Sequence, residues 1–243
     1  MEENWLTALF NNYLAGPANA ILGLVGMKAA DPAHPWETWL VMEILVVALL
    51  VALGLLVRSN LSVDRPGRLQ HIFESLMEFL ETQAHDVGIH HPRKYVNFFG
   101  TLFIFILCMN LIGIIPGFES PTGSYYVPVA LAICTWVYYH VMGVRELGPL
   151  KYLAHFGGAI LWMAPVMFII EIIGHVARLL SLTVRLYANM FAGEQVTNVF
   201  IKLTYVGLPV IFMGLHVFVA FLQAYIFTLL TMIYVSMGTS QEH

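Results

Sequence analysis

Leu179-Leu180-Ser181-Leu182-Thr183-Val184-Arg185-Leu186-Tyr187-Ala188-Asn189-Met190-Phe191 is apolar enough for lipid, carries an arginine and an asparagine, and holds no residue that signals a turn. It lies within an apolar region running from Gly157 to about Val206. That region is far longer than the ~20 residues that cross a bilayer. Two separate spans would need a turn near its middle, but after Pro165 there is no proline, and only Gly174 and Gly193 weaken a helix. The stretch therefore predicts one very long, strongly tilted helix, about twice the bilayer thickness if it stood upright.

Composition points to lipid as the solvent. The chain is 59% hydrophobic and 11% charged, with a mean hydropathy of +0.76. Soluble domains keep roughly a quarter of their residues charged, so too little polar surface exists here to cover a core in water. The net charge of −4 gives no support to nucleic-acid binding. Met1-Glu2-Glu3-Asn4-Trp5 lacks a basic start followed by an apolar run, so no cleaved signal peptide is expected. Cys108 and Cys134 lie in apolar stretches and read as buried small hydrophobes, with neither a disulfide framework nor metal spacing.

Outward from the long helix, Pro209 opens a last helix that runs to about Met237 and ends at Gly238. Upstream, Trp39–Val57 is a span whose Trp36 and Trp39 sit where an aromatic belt belongs; Glu43 inside it reads as a carboxylate reaching for the interface. Asp64 and Pro66 signal a helix start. Leu69, Ile72, Phe73, Leu76, Met77 and Leu80 then recur at helical spacing opposite Glu74, Glu78 and Glu81, an amphipathic segment over about 64–90 that is too polar to span. Phe98–Ile115 and Val127–Val144 form a hairpin over about 96–144, joined by the turn formers Pro116–Gly123. Residues 1–37 are turn-rich, with Gly16-Pro17, Asp31-Pro32 and His34-Pro35 as turn signals, and leave room for a short interfacial helix.

The expected fold is an all-α integral membrane protein with about five membrane helices. The last two, about 157–206 and 209–237, are long and tilted, and an amphipathic interfacial helix accompanies them. Residues 1–37 form an extracytoplasmic segment and 38–243 a single transmembrane domain. This topology places Arg58, Arg65, Arg68, Arg93, Lys94, Arg145 and Lys151 on one side and only Lys28 and Lys202 on the other. By the positive-inside rule the N-terminus is outside and the C-terminus cytoplasmic. No internal repeat is visible, which counts against inverted-repeat transporters.

A charge at the bilayer centre costs at least ~2.5 kcal/mol and persists only when paired, hydrated or needed. Glu171, Arg178 and Arg185 are spaced by seven, and Asn189 follows four later, so they share one helix face. Glu194, nine beyond Arg185, falls nearly opposite, which favours two offset polar regions over one pore. On the last helix His216 and Gln223 are seven apart. If the helices pack, Gln223 lies beside Arg185 and His216 nearer Glu194. The bland alternatives are a static ion pair at Arg185, an ordinary buried histidine at His216, and interhelical glue worth ~1 kcal/mol at Asn189 and Gln223. For Glu171 and Arg178, a boundary salt bridge and an exit-path role stand level.

The run Ser181-Leu182-Thr183-Val184-Arg185-Leu186-Tyr187-Ala188-Asn189-Met190-Phe191-Ala192-Gly193-Glu194 resembles the signature of subunit a of F-type ATP synthases, the membrane stator of the proton turbine. Leu222-Gln223-Ala224-Tyr225-Ile226-Phe227-Thr228-Leu229-Leu230-Thr231 resembles that family's final helix, and Asn110-Leu111-Ile112-Gly113-Ile114-Ile115-Pro116 its hairpin. The resemblance covers nearly all of residues 36–243. It implies that Arg185 faces a carboxylate on a ring of c subunits, with Asn189 and Gln223 as polar neighbours. It implies further that Glu194 and His216 serve the uptake half-channel and that Glu171 lies towards the cytoplasmic exit, with Arg178 as a structural or exit-path partner. The implied partners are the c-ring, subunit b of the peripheral stalk, the remaining synthase subunits and the lipid of a bacterial inner (plasma) membrane. No cofactor, metal or nucleic acid is implied. Three departures stand out: Gly123-Ser124-Tyr125-Tyr126 occurs where relatives carry Asn, Asp or Thr, Leu179 where proline is common, and Gly174 where serine is common.

No Gly-rich Lys-Ser/Thr loop occurs, so the chain carries no phosphoryl-transfer chemistry of its own. A rival reading is a membrane metalloenzyme, because His85, His90 and His91 faintly resemble a histidine box; the remaining histidines are scattered. A second rival is a stand-alone ion carrier or channel.

Overall fold

The computed structural model describes residues 4–24, 31–62, 67–115, 117–155, 164–203 and 207–239. Among them there is no strand. The helices are α1 (Trp5–Leu24), α2 (Thr38–Ser59), α3 (Arg68–Asp86), α4 (Val96–Ile112), α5 (Tyr126–Leu147), α6 (Pro149–His155), α7 (Ala164–Leu203) and α8 (Leu208–Thr239). Four of them, α2, α5, α7 and α8, are long and apolar enough to cross a membrane, and α4 is a shorter apolar helix. The all-α membrane fold with about five membrane helices is therefore what the chain adopts. Lys28, Asp64, Arg65, Pro66, Pro116, Val206, His243 and the expected helix start over 157–163 lie outside the described residues.

The decisive stretch is helical throughout: α7 runs unbroken for 40 residues and α8 for 32. At 1.5 Å per residue these lengths are about 60 and 48 Å, against ~30 Å of hydrocarbon, so both must run obliquely to stay in lipid. The centre is built by α8 packed against α4, α5 and α7. Its packed side is Ala220, Ala224, Phe227, Thr228, Thr231 and Val235, all buried. Small side chains let backbones approach, which matters in lipid because burial of apolar surface there gains little and close contact gains more. Thr228 and Thr231 donate their hydroxyls to the carbonyls of Ala224 and Phe227, 2.8 Å each, so neither leaves an orphan donor in the core.

Apolar here does not mean buried. Cys108 is half-buried and Cys134 is exposed, which corrects the expectation that both lie inside: α5 turns Cys134, Ile133 and Val137 outwards. A helix in lipid needs no polar outer face, so hydropathy alone cannot separate core from perimeter.

α3 is amphipathic as expected. Leu80 and Ala84 are buried, Leu76 and Met77 pack on the same core, and Ile72 and Leu69 face outward. Gly100 of α4 makes room for Met77, whose methyl would lie 2.5 Å from a Cβ there. Tyr225 of α8 donates to Gln83 at 2.9 Å and Ser236 to the Val87 carbonyl at 2.8 Å, tying α3 to α8.

The N-terminal segment departs most from expectation. The chain forms a 20-residue helix through Gly16-Pro17, where the dipeptide read as a turn. Long-range hydrogen bonds hold it. Asn11 donates to the Trp36 carbonyl (3.2 Å) and accepts from its N–H (3.0 Å), while Asn4 donates to the Gly117 carbonyl (2.6 Å). The short α6 was also unanticipated.

The two ends of the bundle are distinct. One gathers the start of α2, the α4–α5 turn and α1, joined by the Asn4 bond and by Trp39 stacked on Tyr126 at 5.3 Å. At the other, Arg93 bonds Glu81 (2.8 Å), and Glu146 takes both Lys94 and the Tyr95 hydroxyl (2.8 Å). Burial and then the Glu146 carboxylate push the Tyr95 phenol well above its usual pKa. Arg58, Arg68, Arg145 and Lys151 share this second end, and Lys202 closes α7 at the first.

Candidate functional site

α7 touches its neighbours along a narrow line. His175, Leu182, Leu186 and Met190 are buried, at steps of seven, four and four. Ile173, Val176, Leu180, Val184 and Phe191 are exposed. Arg185 sits half-buried beside that line. Its guanidinium donates to the Ser181 hydroxyl at 3.4 Å, one turn back, and it makes no ion pair among the described residues. A cation within an apolar span and without a carboxylate partner among the described residues is the least bland feature of the molecule.

One turn on, Asn189 donates to the Gln223 side-chain oxygen at 2.9 Å. Gln223 is buried, and its own amide nitrogen has no hydrogen-bond partner among the described residues. The expected approach of α8 to α7 is present, but Gln223 engages Asn189 rather than Arg185.

Towards the α4–α5 turn, Glu194 accepts the Ser120 backbone N–H at 2.7 Å. The turn behind it is a closed hydrogen-bond circuit. Ser120 Oγ donates to the Met109 carbonyl (2.9 Å) and lies 2.6 Å from Thr122 Oγ1. Thr122 donates to Asn110 Oδ1 (2.7 Å), and Asn110 donates to the Ala220 carbonyl on α8 (3.2 Å). Asn110, Ser120 and Thr122 are buried. Two glycines give the carboxylate its room: a Cβ on Gly123 would stand 2.7 Å from Glu194 Oε2, and one on Gly113 would stand 2.9 Å from Oε1. His216 is 4% exposed, with Nε2 lacking a partner among the described residues. Its ring lies against Gly193, where a Cβ would stand 3.3 Å from Nε2. His216 thus neighbours the Glu194 segment, as expected, without a hydrogen bond to Glu194 itself.

Towards the opposite end, Glu171 Oε1 lies 3.6 Å from Arg178 and 3.3 Å from His175 Nε2. The Arg178 guanidinium is also 5.7 Å from the Tyr234 ring. His175 belongs to a larger buried group: Tyr139 Oη is 2.5 Å from His175 Nδ1, and His140 Nδ1 is 2.5 Å from Tyr152 Oη.

The structure therefore brings the named residues into three places along α7: Glu194 with His216, then Arg185 with Asn189 and Gln223, then Glu171 with Arg178. Asn110, Ser120, Thr122 and the His175 group went unassigned in the sequence. Asn110 announced itself as an amide inside an apolar run, and His175 as the residue four beyond Glu171 and three before Arg178. His85, His90 and His91 are exposed, and among the described residues no group of three or more His, Cys, Asp or Glu is placed to hold a metal.

Comparison with known proteins gives this arrangement its setting. The family described as ATP synthase A chain matches residues 40–236. ATP synthase subunit a of Solibacter usitatus is 54% identical over 235 residues, covering 97% of this chain and 100% of the relative. Subunit a of Koribacter versatilis is 47% identical, covering 98% of each, and that of Geotalea uraniireducens is 41% identical over 89% of this chain and 95% of its own. The matches take in every membrane helix, the hairpin and the polar residues of α7 and α8; the chain belongs to the subunit a family, the integral membrane subunits of the F-type ATP synthase.

Proposed function

We propose that this chain carries protons across the membrane through two half-channels separated by Arg185, coupling proton flow to rotation of a c-subunit ring and to ATP synthesis. The observation that carries the reading is an intramembrane arginine with no carboxylate partner among the described residues and polar clusters on either side of it along α7. By helical rise Glu194 lies about 14 Å beyond Arg185, and Glu171 about 21 Å before it. Glu194 and His216, backed by Asn110, Ser120 and Thr122, serve uptake; Glu171, with Arg178 beside it, serves release.

The missing counter-charge is a c-subunit carboxylate that arrives, ionises and leaves. Such a carboxyl crosses lipid only when neutral, because its charged form is costly there. Opposite Arg185 the anion is favoured and the proton departs to one side. Reloading occurs from the other half-channel. Asn189 and Gln223 hold each other beside the meeting point, and Arg185 repels any cation that would pass straight between the two paths. Arginine suits the task better than lysine because desolvation does not deprotonate it.

Residues 38–243 act as one transmembrane unit of the bacterial inner membrane, with 1–37 outside and the basic end cytoplasmic. The exposed side of α7 lies along the ring, and subunit b and the other synthase subunits complete the assembly. The test is ATP-driven proton pumping by vesicles carrying the complete complex. Arg185→Ala should abolish it; normal pumping by that variant would refute the mechanism.

A further inference from the structure

We propose that His175 is a proton carrier on the release side, handing protons to and from Glu171 with its ring held in register by Tyr139. The inference rests on the half-channel reading above. It arises from a buried aromatic cluster in which one histidine meets a tyrosine hydroxyl at one ring nitrogen and a carboxylate at the other.

His175 is 8% exposed and Tyr139 2%. Nδ1 meets the Tyr139 hydroxyl at 2.5 Å, and Nε2 faces Glu171 Oε1 at 3.3 Å. Tyr139 stacks on the imidazole with centroids 5.7 Å apart and an interplanar angle of 18°. From α5, His140 places its ring 4.7 Å from that of His175, and α6 pins His140 through Tyr152. Tyr152 is admitted by Gly143, where a Cβ would stand 2.5 Å from its ring. Among the described residues, the titratable or charged groups around His175 include Glu171 and Arg178 on α7, Tyr139 and His140 on α5, Tyr152 on α6 and Tyr234 on α8.

In the starting tautomer of the proposed relay, Nε2–H faces the Glu171 carboxylate while Nδ1 accepts from the Tyr139 hydroxyl. Water on the Arg185 side gives a proton to the Tyr139 oxygen as the hydroxyl passes its own to Nδ1, which makes an imidazolium and turns the hydroxyl from donor to acceptor. The Nε2 proton then passes to Glu171 Oε1 and leaves from that half-exposed carboxyl. One proton has entered and one has left, and a half-turn of the ring about its Cβ–Cγ bond, with proton exchange from Nδ1 to Nε2, restores the first tautomer before Tyr139 reseats it. Run backwards, the same steps carry a proton inward. Glu171 has Arg178 at 3.6 Å, and the neighbouring imidazole adds a group with one nitrogen that donates and one that accepts. His175 lies ten residues from Arg185, about 15 Å along the helix, so water must cover the remaining distance.

The experiment uses the complete complex in membrane vesicles with an uncoupler present. ATP hydrolysis there still requires protons to pass through this chain, and no gradient opposes it. Hydrolysis is followed from pH 5 to pH 9 for His175→Ala, His175→Gln and Tyr139→Phe, on complexes retaining their full subunit complement. His175→Ala should lower the rate at least about tenfold. Added imidazole should restore it in His175→Ala but not in His175→Gln, whose side chain fills the space. Tyr139→Phe should displace the pH profile while keeping a working relay. Wild-type rates and profiles in both His175 variants, or a loss in His175→Ala that imidazole leaves untouched, would overturn the proposal. Arg185→Ala separates the two ideas. If it stops pumping while the His175 variants turn over normally, only the relay fails; if it pumps normally, the half-channel reading fails with it.

Discussion

Arg185 and Glu194 are nine residues apart on one helix, yet their surroundings differ completely. Among the described residues Arg185 hydrogen-bonds its own Ser181, whereas Glu194 is fastened to the Ser120 backbone 74 positions away. This contrast is why substitutions at the two should differ in severity. Arg185→Ala removes the one cation at the meeting point, and pumping should stop. If Glu194 and His216 serve uptake as proposed, Glu194→Ala and His216→Ala leave Asn110, Ser120 and Thr122 in place beside the path, so ATP-driven pumping should fall without vanishing. Equal, complete losses in all three would contradict that division. Gly123 gives a sharper local test, because its missing side chain is what admits the Glu194 carboxylate. Gly123→Val should cut pumping several-fold although it changes no titratable group; wild-type rates would show that the carboxylate's position does not matter.

Helices α4, α5 and α8 show how much of the packing depends on residues too small to draw notice. At Gly143 a new Cβ would stand 2.5 Å from Tyr152 Cε2 and 2.8 Å from the Gly238 carbonyl. The ring is held by His140 and the other atom is main chain, so neither yields. Gly143→Leu should cost about 1–3 kcal/mol, read as a lower temperature for loss of the assembled complex in detergent. Gly100→Ala meets only the flexible end of Met77, and should shift that temperature far less; an equal shift would mean the contacts are misread. Periodicity and turn chemistry made α2, α3, the hairpin and the two long helices legible. They failed at α1, because the Gly16-Pro17 turn signal is outweighed by hydrogen bonds from Asn11 and Asn4 to distant carbonyls that no local window contains. The same limit applies to the site. Helical phase separated Glu194 from the face of Arg185, but Ser120 and Thr122 gain meaning only when the hairpin folds back. His175 becomes notable only beside Tyr139.

At the scale of the molecule, basic residues gather at one end of the bundle and the Glu194 cluster lies at the other. The proposed orientation predicts that Ser59→Cys is labelled by a membrane-impermeant thiol reagent in inverted vesicles and Lys202→Cys only in right-side-out ones. The reverse pattern would overturn the assignment of sides. If the long exposed flank of α7 faces the ring as proposed, Val184→Cys should cross-link to the c-subunit helix that bears the carboxylate. The central claim is that Arg185 is the barrier between two paths, and one measurement addresses it directly. An imposed proton gradient is followed without nucleotide in vesicles bearing the complete complex with Arg185→Ala. The gradient should collapse faster than with the wild-type complex, because no fixed positive charge then blocks passage between the half-channels; decay no faster than wild type would show that Arg185 is not the barrier.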